Sequence, residues 1–280
     1  MQVSSVLERS QLSEKILAQQ KRSSRTFRLK VVISWLVMAA IFFFLFSGAQ
    51  IQIGGFTLKT IQLDTDFISR SAPTIARGVP VTLALSAISI FFASILALLS
   101  ALASISRIAP LYALSTFYVS LIRGTPLLVQ IFFFFLALPQ IGIVLPGFTA
   151  GVLALALNYG AYMSEIFRAG IQSVSSGQRE AALALGMTQR QMMRRIVLPQ
   201  ALRLVIPPTG NEFIAMLKDS ALVSTTGFVL ETFRLAQLSG RREFKNLEAL
   251  LIAALWYWLM TIIFSAIQSR IEKRFSRGNR

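Results

Sequence analysis

The chain of 280 residues is 54% hydrophobic and only 14% charged, with a mean hydropathy of +0.63, which excludes an ordinary soluble domain. Cysteine and histidine are both absent, so disulfides, Cys or His metal centres and Cys- or His-based catalysis are excluded. The formal net charge of +16 would suit a nucleic-acid partner, but its distribution along the chain points to membrane topology instead.

Residues 1–30 are polar and basic, and read as a solvated tail or a surface-lying amphipathic helix. Residues 31–46 are an apolar run that ends in Ser47-Gly48-Ala49. Small residues at that spacing also suit signal cleavage, but the basic region ahead of the run is long for a signal peptide, and an uncleaved first span over 31–48 is expected. Residues 49–77 read as a mixed polar, extracytoplasmic loop. Residues 78–106 carry no charge and predict a second span. Arg107 and Pro110 mark a turn, and residues 111–122 predict a partly interfacial helix.

Residues 124–164 are again uncharged, too long for one span. Pro139, Gly142, Pro146 and Gly147 break the run, so one span ends near 138 and the next covers 148–167. After a polar stretch, residues 198–217 predict a fifth span, unwound or kinked at Pro207-Pro208. Residues 220–238 read as a short re-entrant or surface helix. Residues 249–269 predict a sixth span, followed by a basic tail. The expected fold is therefore all-α and membrane-integral, with about six transmembrane helices and both termini on one side.

The basic residues choose that side. With both termini cytoplasmic, 20 Lys/Arg face the cytoplasm and eight the outside. In this count Arg107 and Arg123 are cytoplasmic, Arg123 among lipid headgroups. The bias accounts for the net charge through membrane lipid and topology, with no nucleic acid.

The polar stretch between the fourth and fifth spans carries the most specific pattern. Ser175 precedes Gln178 by three residues, the spacing of a capping box. Residues 180–185 are strong helix formers, and Gly186 can end the helix in a left-handed turn. Thr188 and Gln191 repeat the box spacing. Arg190, Arg194 and Arg195 suit an aqueous face, and Pro199 marks re-entry into an apolar run. By itself this reads equally as a solvated helical hairpin. However, Glu180-Ala181-Ala182, Gly186, Ile196 and Leu198-Pro199 fill every fixed position of the coupling-loop pattern of ABC-transporter permeases, and the stretch resembles that loop.

The resemblance extends to the polar amino acid (histidine, glutamine, glutamate and arginine type) branch. Arg123-Gly124-Thr125-Pro126-Leu127-Leu128-Val129-Gln130, Gly160-Ala161-Tyr162 with Glu165, Gln200-Ala201, Asn211 and Lys218-Asp219 carry it, over roughly residues 78–271. It departs at Ser220-Ala221, where that branch has a Thr-Ser pair. The resemblance implies a five-helix permease core over 78–271, a cytoplasmic tail from 272, and a coupling helix contacting an ABC ATPase subunit through Gln178, Glu180, Ala181, Ala182, Leu183, Leu185 and Gly186. It also implies an extracytoplasmic solute-binding protein, a second permease subunit, identical or related, and the bacterial inner membrane.

The chain itself has no phosphate-binding loop of the Gly-x-x-x-x-Gly-Lys-Ser/Thr type, so ATP hydrolysis is assigned to another subunit. No cofactor and no metal are called for. Ionisable groups at membrane depth mark function by default. Glu212 and Asp219 share one helix face by spacing, and Asn211 and Lys218 share the neighbouring one. With Asn158 and Tyr162 they are the candidate solute path. Charges snorkelling to the outer interface, or Asn158 as interhelical glue, are the alternatives. Thr125 is expected to cap the helix that Pro126 starts.

The expected function is the translocating permease of an ATP-driven amino acid importer. A permease of the same superfamily for methionine or an organic ion is the first alternative. A passive channel is a weaker one, and a membrane enzyme lacks a convergent catalytic cluster.

Overall fold

The computed structural model describes residues 26–53 and 56–276. The proposed amphipathic segment before residue 26 and the last residues of the basic tail lie outside the described residues. The chain divides into two compact units, Met1–Thr65 and Asp66–Arg280.

In the first unit, helix α1 (Thr26–Leu45) is 20 residues long and has no buried position in its apolar window, as suits a helix that faces lipid. Residues expected to form a plain loop instead make an antiparallel hairpin, β1 (Gln50–Ile53) with β2 (Phe56–Lys59), in which Gln50 pairs with Lys59 and Gln52 with Thr57. Alternating Ile and Gln gives this segment a strand period that the short loop concealed.

The second unit is helical throughout. Helix α2 (Thr65–Ala76) is amphipathic, with Phe67, Ser71 and Ile75 buried at four-residue intervals. It too replaces part of the expected loop. Helix α3 (Val79–Ile105) follows, so that Thr65–Ile105 is a helical run of 41 residues. Its buried stripe is small: Thr82, Ser86, Ser89, Ala93, Ala97 and Ser100. Between membrane helices no hydrophobic effect drives association, and small side chains let backbones approach closely. The stripe seats α3 against α6 (Gly147–Gln172), the most enclosed helix. Leu85, Ala93, Ala97, Leu155, Tyr159, Met163 and Met216 make the shared core.

Helix α4 (Ala109–Arg123) runs back beside α3, where the Ser100 and Ser115 hydroxyls lie 2.9 Å apart. The Tyr118 hydroxyl donates to Leu157 O of α6 at 2.7 Å. The chain then bends by 104° into α5 (Leu127–Phe132) and its π and 3-10 continuation to Ile141. Helix α9 (Leu198–Asp219) runs without interruption through Pro207-Pro208, contrary to the expected unwinding. The prolines deprive the carbonyls of Arg203 and Leu204 of their helical donors; beside them, Gln268 of α11 (Asn246–Ser276) donates to Pro207 O at 3.0 Å and ties α9 to α11. A 3-10 segment, Ser220–Thr226, leads to α10 (Thr232–Glu243). Glu231, fully buried, caps α10 through the Phe233 and Arg234 amides and accepts from Tyr257 of α11 at 2.5 Å. Phe67, Ile75, Ala236, Ala249, Ile252 and Ala253 join α2, α10 and α11 in a second core.

Among the described residues, three helices are long and apolar enough to cross a membrane, or four if the bent α4–α5 pair is one span. Helices α6 and α9 have 26 and 22 residues, also enough to cross, but they are more polar because other helices, not lipid, surround much of α6.

Candidate functional site

Two features organise the site: a helix break between α4 and α5 and a polar hairpin at one end of the bundle. The break lies between α4 and α5. Proline at 126 cannot continue α4, and the residue before a proline disfavours the helical region. Pro126 stands at the N-cap of α5 without a side-chain cap. Thr125 does not cap α5 as expected; its hydroxyl closes the end of α4, donating to Leu121 O at 3.0 Å. The turn is stitched by Gln130, which is buried. Its amide donates to Ile122 O at 2.9 Å, to Thr125 O at 3.2 Å and to the Thr125 hydroxyl at 2.9 Å. Its own oxygen accepts from Asn158 Nδ2 at 3.2 Å. One buried side chain thus satisfies the exposed backbone of the break and fixes Asn158 on α6.

The break opens on a cavity of about 590 Å³ lined by Arg123–Leu127, by Asn158, Tyr159 and Tyr162 of α6, and by Glu212 and Asp219 of α9. Asn158 stands near the middle of α6, so the cavity lies at mid-length of that helix. The Arg123 guanidinium sits over the Tyr162 ring, 5.0 Å from its centroid. Arg123, expected among cytoplasmic headgroups, is thus part of the cavity lining. The Tyr159 hydroxyl donates to Asp219 Oδ2 at 2.8 Å. The cavity therefore presents a cation against an aromatic face together with two carboxylates. Non-helical backbone within a membrane protein is tolerated where it lines a cavity.

Of the six expected path residues, the structure gathers Asn158, Tyr162, Glu212 and Asp219. Asn211 is turned to α11, where its side-chain oxygen accepts from Gln268 at 3.0 Å. Lys218 is exposed and is not among the lining residues. Tyr159, a further polar candidate beside Asn158 and Tyr162 in the sequence, also lines it, whereas Arg123 and the Gly124–Leu127 backbone were not anticipated. The available signal was a Gly-Thr-Pro break followed, four residues after the proline, by a glutamine in an otherwise apolar helix. Glu165 pairs with Arg168 at 2.6 Å, one helical turn along α6.

The polar hairpin comprises α7 (Ser176–Ala184), the left-handed Gly186 and α8 (Gln189–Met192). Gly186, at φ +82°, has nothing near its missing side chain, so the turn alone requires glycine. The Gly186 amide donates to Leu183 O at 2.9 Å and that of Met187 to Ala182 O at 3.1 Å. Thr188 and Gln191 form the expected reciprocal box, at 3.3 and 2.9 Å. Ser175 does not: it makes no side-chain cap, and Gln178 instead accepts from Gln200 at 2.8 Å.

Ala182 is only 2% exposed, packed with Ile171, Val174, Met192, Val197 and Ala201. It anchors the helix rather than presenting a contact. Glu180, Ala181, Leu183 and Leu185 are exposed, Leu185 by 82%.

Residues 93–277 match the model of the family described as binding-protein-dependent transport system inner membrane component. The chain is 44% identical to the L-cystine transport system permease protein TcyB of Bacillus subtilis (strain 168), over 73% of this chain and 88% of that one. It is 37% identical to the arginine transport system permease protein ArtQ of the same organism, over 78% of this chain and all of that one. A crystal structure of an amino acid ABC transporter with histidines matches at TM-score 0.72 and 41% identity, covering 76% of this chain and 100% of that chain. An inward-facing methionine transporter, MetNI, shares the fold at TM-score 0.62 and 20% identity.

Proposed function

Because the chain belongs to the family of binding-protein-dependent transport system inner membrane components, we propose that it is the membrane-spanning permease subunit of an ATP-driven amino acid importer. The observation that carries this reading is the cavity at the α4–α5 break. Its volume, about 590 Å³, lies within the ~300–1,000 Å³ typical of small-molecule sites. An amino acid needs donors for its carboxylate and acceptors for its ammonium. Arg123 is placed to receive the first, and Glu212 and Asp219 the second, with Tyr159 and Tyr162 as walls. The relatives named for cystine and arginine, both amino acids, support this class of solute.

The core runs over residues 78–271, joined by α2. The topology has six spans with both termini cytoplasmic, in a bacterial inner membrane. Moving Arg123 to the cavity leaves 19 Lys/Arg inside against eight outside, so the bias survives. A separate ATPase subunit receives α7 through Glu180, Ala181, Leu183 and Leu185, with Gly186 setting the exit and Gln178 and Ala182 holding the helix. An extracytoplasmic binding protein delivers the solute, and a second permease, identical or related, completes the path.

In this cycle the ATPase pair closes on ATP and moves α7. The motion passes through the Ile171–Val197 packing into α6 and α9, which carry the cavity residues. Transport therefore requires the hairpin and the cavity to belong to one mechanical body. Co-purification of the native complex, with mass identification of its subunits and bound solute, tests the proposal. A complex lacking an ATPase, or holding a solute without an amino acid group, would overturn it.

A further inference from the structure

The cavity holds one charge more than a plain amino acid can use. Its lining carries one cation, Arg123, and two carboxylates, Glu212 and Asp219. None of the three is paired within the chain: among the described residues the ion pairs are Arg70–Glu243 and Arg168–Glu165. A zwitterion brings one carboxylate and one ammonium. It satisfies Arg123 and one of the two acids, and leaves the other, half-buried, without a cation at a cost in binding.

The packing of α6 on α9 spreads these charges along the cavity. Tyr159 of α6 meets Asp219 of α9, and Gly170, further along α6, lies against Ala201 and Val205. The helices are therefore antiparallel, and Glu212 falls between these contacts, level with the turn of α6 from Tyr162 to Glu165. Arg123 stacks on Tyr162, so Arg123 and Glu212 share one level. Asp219 lies two turns away on the same face of α9. Seven residues of helix span ~10 Å, too far for one ammonium to meet both acids. Tyr159, donating to Asp219 Oδ2 at 2.8 Å, fixes the farther carboxylate in place. The cavity thus has a head end with a cation and an acid, and a tail end with an acid alone.

We propose that the solute is a dibasic amino acid of the arginine, lysine or ornithine class. Its carboxylate meets Arg123, its ammonium meets Glu212, and its side-chain cation meets Asp219. At ~1.25 Å gained per bond, an extended lysine stem separates the two cationic groups by ~7 Å. Charge-assisted hydrogen bonds of ~2.8 Å at the ends cover the remainder. The solute's net positive charge then cancels the net negative charge of the lining. An acidic amino acid would set a second carboxylate among these acids. Cystine has two ammonium groups, but its second carboxylate would find no second cation.

The inference rests on the cavity being the solute site, as proposed above. The test uses the complete nucleotide-free complex in lipid nanodiscs without binding protein, so that the permease alone selects. Labelled arginine and labelled citrulline are bound, and lysine and glutamate compete. Citrulline replaces the guanidinium by a neutral urea of the same shape. Lysine should compete at a concentration close to that of arginine, and glutamate should not compete. Citrulline should bind about tenfold or more weakly than arginine. Asp219→Asn keeps an acceptor for Tyr159 and removes the charge. It should lower arginine to the affinity of citrulline and leave citrulline unchanged. Glu212→Gln, at the head end, should weaken both alike. Equal binding of arginine and citrulline by the parent complex, or a preference for arginine that survives Asp219→Asn, overturns the inference and leaves the cavity as an amino acid site. Binding that neither variant changes, or no binding of either labelled solute, overturns the cavity reading itself.

Discussion

The Arg123 guanidinium lies over the Tyr162 ring, 5.0 Å from its centroid, and so joins the end of α4 to the face of α6. A cation–π contact of this kind contributes ~0.5–2 kcal/mol, more where water is excluded. Arg123→Met should therefore lower solute uptake by roughly tenfold to a hundredfold, if the cation also meets the solute with ~1.5–3 kcal/mol. Arg123→Lys should keep part of the activity, since the charge remains and the planar stacking is lost. Uptake in proteoliposomes checks this. Equal activity in both variants would separate Arg123 from the path.

Gln130 is predicted to be a structural keystone of the break. Gln130→Leu would leave Thr125 O and the Asn158 amide without this partner, at ~1–3 kcal/mol for each buried group left unpaired, while Ile122 O keeps the Thr125 amide and hydroxyl. The variant should insert in the membrane but unfold in detergent at a lower temperature. It should also loosen Asn158, whose amide depends on the Gln130 oxygen. Thermal stability that matches the parent chain would show that the turn holds without Gln130.

The coupling hairpin is tested by Gly186→Val and Leu185→Asp. At φ +82° a side chain costs ~1–2 kcal/mol, and more for a β-branched residue. Leu185→Asp changes an open side chain and no packing. Both variants should reach the membrane, and both should lose association with the ATPase subunit or its stimulation. Normal transport by both would remove α7 from the coupling role. Ala182→Asp should behave differently: it buries a charge beneath α7 and should destabilise the hairpin itself.

Topology follows from single cysteines in the cysteine-free chain. Val144→Cys, at a position 78% exposed, should react with an impermeant maleimide added outside. Gly177→Cys should react only after the membrane is opened. Cytoplasmic labelling at 144 would contradict the six-span arrangement.

Much of this fold is legible in the sequence because membrane burial writes long uncharged runs. Residues 78–106 announce α3 in this way, and the Thr188–Gln191 box announces α8 with its bonding pattern. Depth and facing are harder to read. Arg123 looks like a residue at the cytoplasmic surface because a charge beside an apolar run normally sits there. Only the packing of α4 against α3 and α6 carries it to the cavity. Asn211 and Glu212 are adjacent, and helical spacing groups each with a partner seven residues on. Which pair faces inward depends on where α6 and α11 pack, and that is a tertiary fact. Helix α2 was hidden for another reason. Its fully buried apolar positions are Phe67 and Ile75 alone, with Ser71 between them, too sparse among Asp66, Arg70 and Pro73 to stand out from a loop. Ala182 sits inside a recognisable pattern, yet a pattern match does not tell an anchoring alanine from a docking one.

The most direct test of the cavity as the solute path compares two neighbours on α9. Glu212 lines the cavity, whereas Lys218 is exposed and outside it. Solute uptake should be measured in proteoliposomes that hold the full complex with saturating binding protein. Loss of one charged contact worth ~1.5–3 kcal/mol corresponds to roughly a tenfold to hundredfold fall in rate. Glu212→Gln should show that fall with assembly intact, and Lys218→Met should transport at close to the parent rate. Near-parent rates in Glu212→Gln, or a larger loss in Lys218→Met, would contradict the assignment of the cavity as the path.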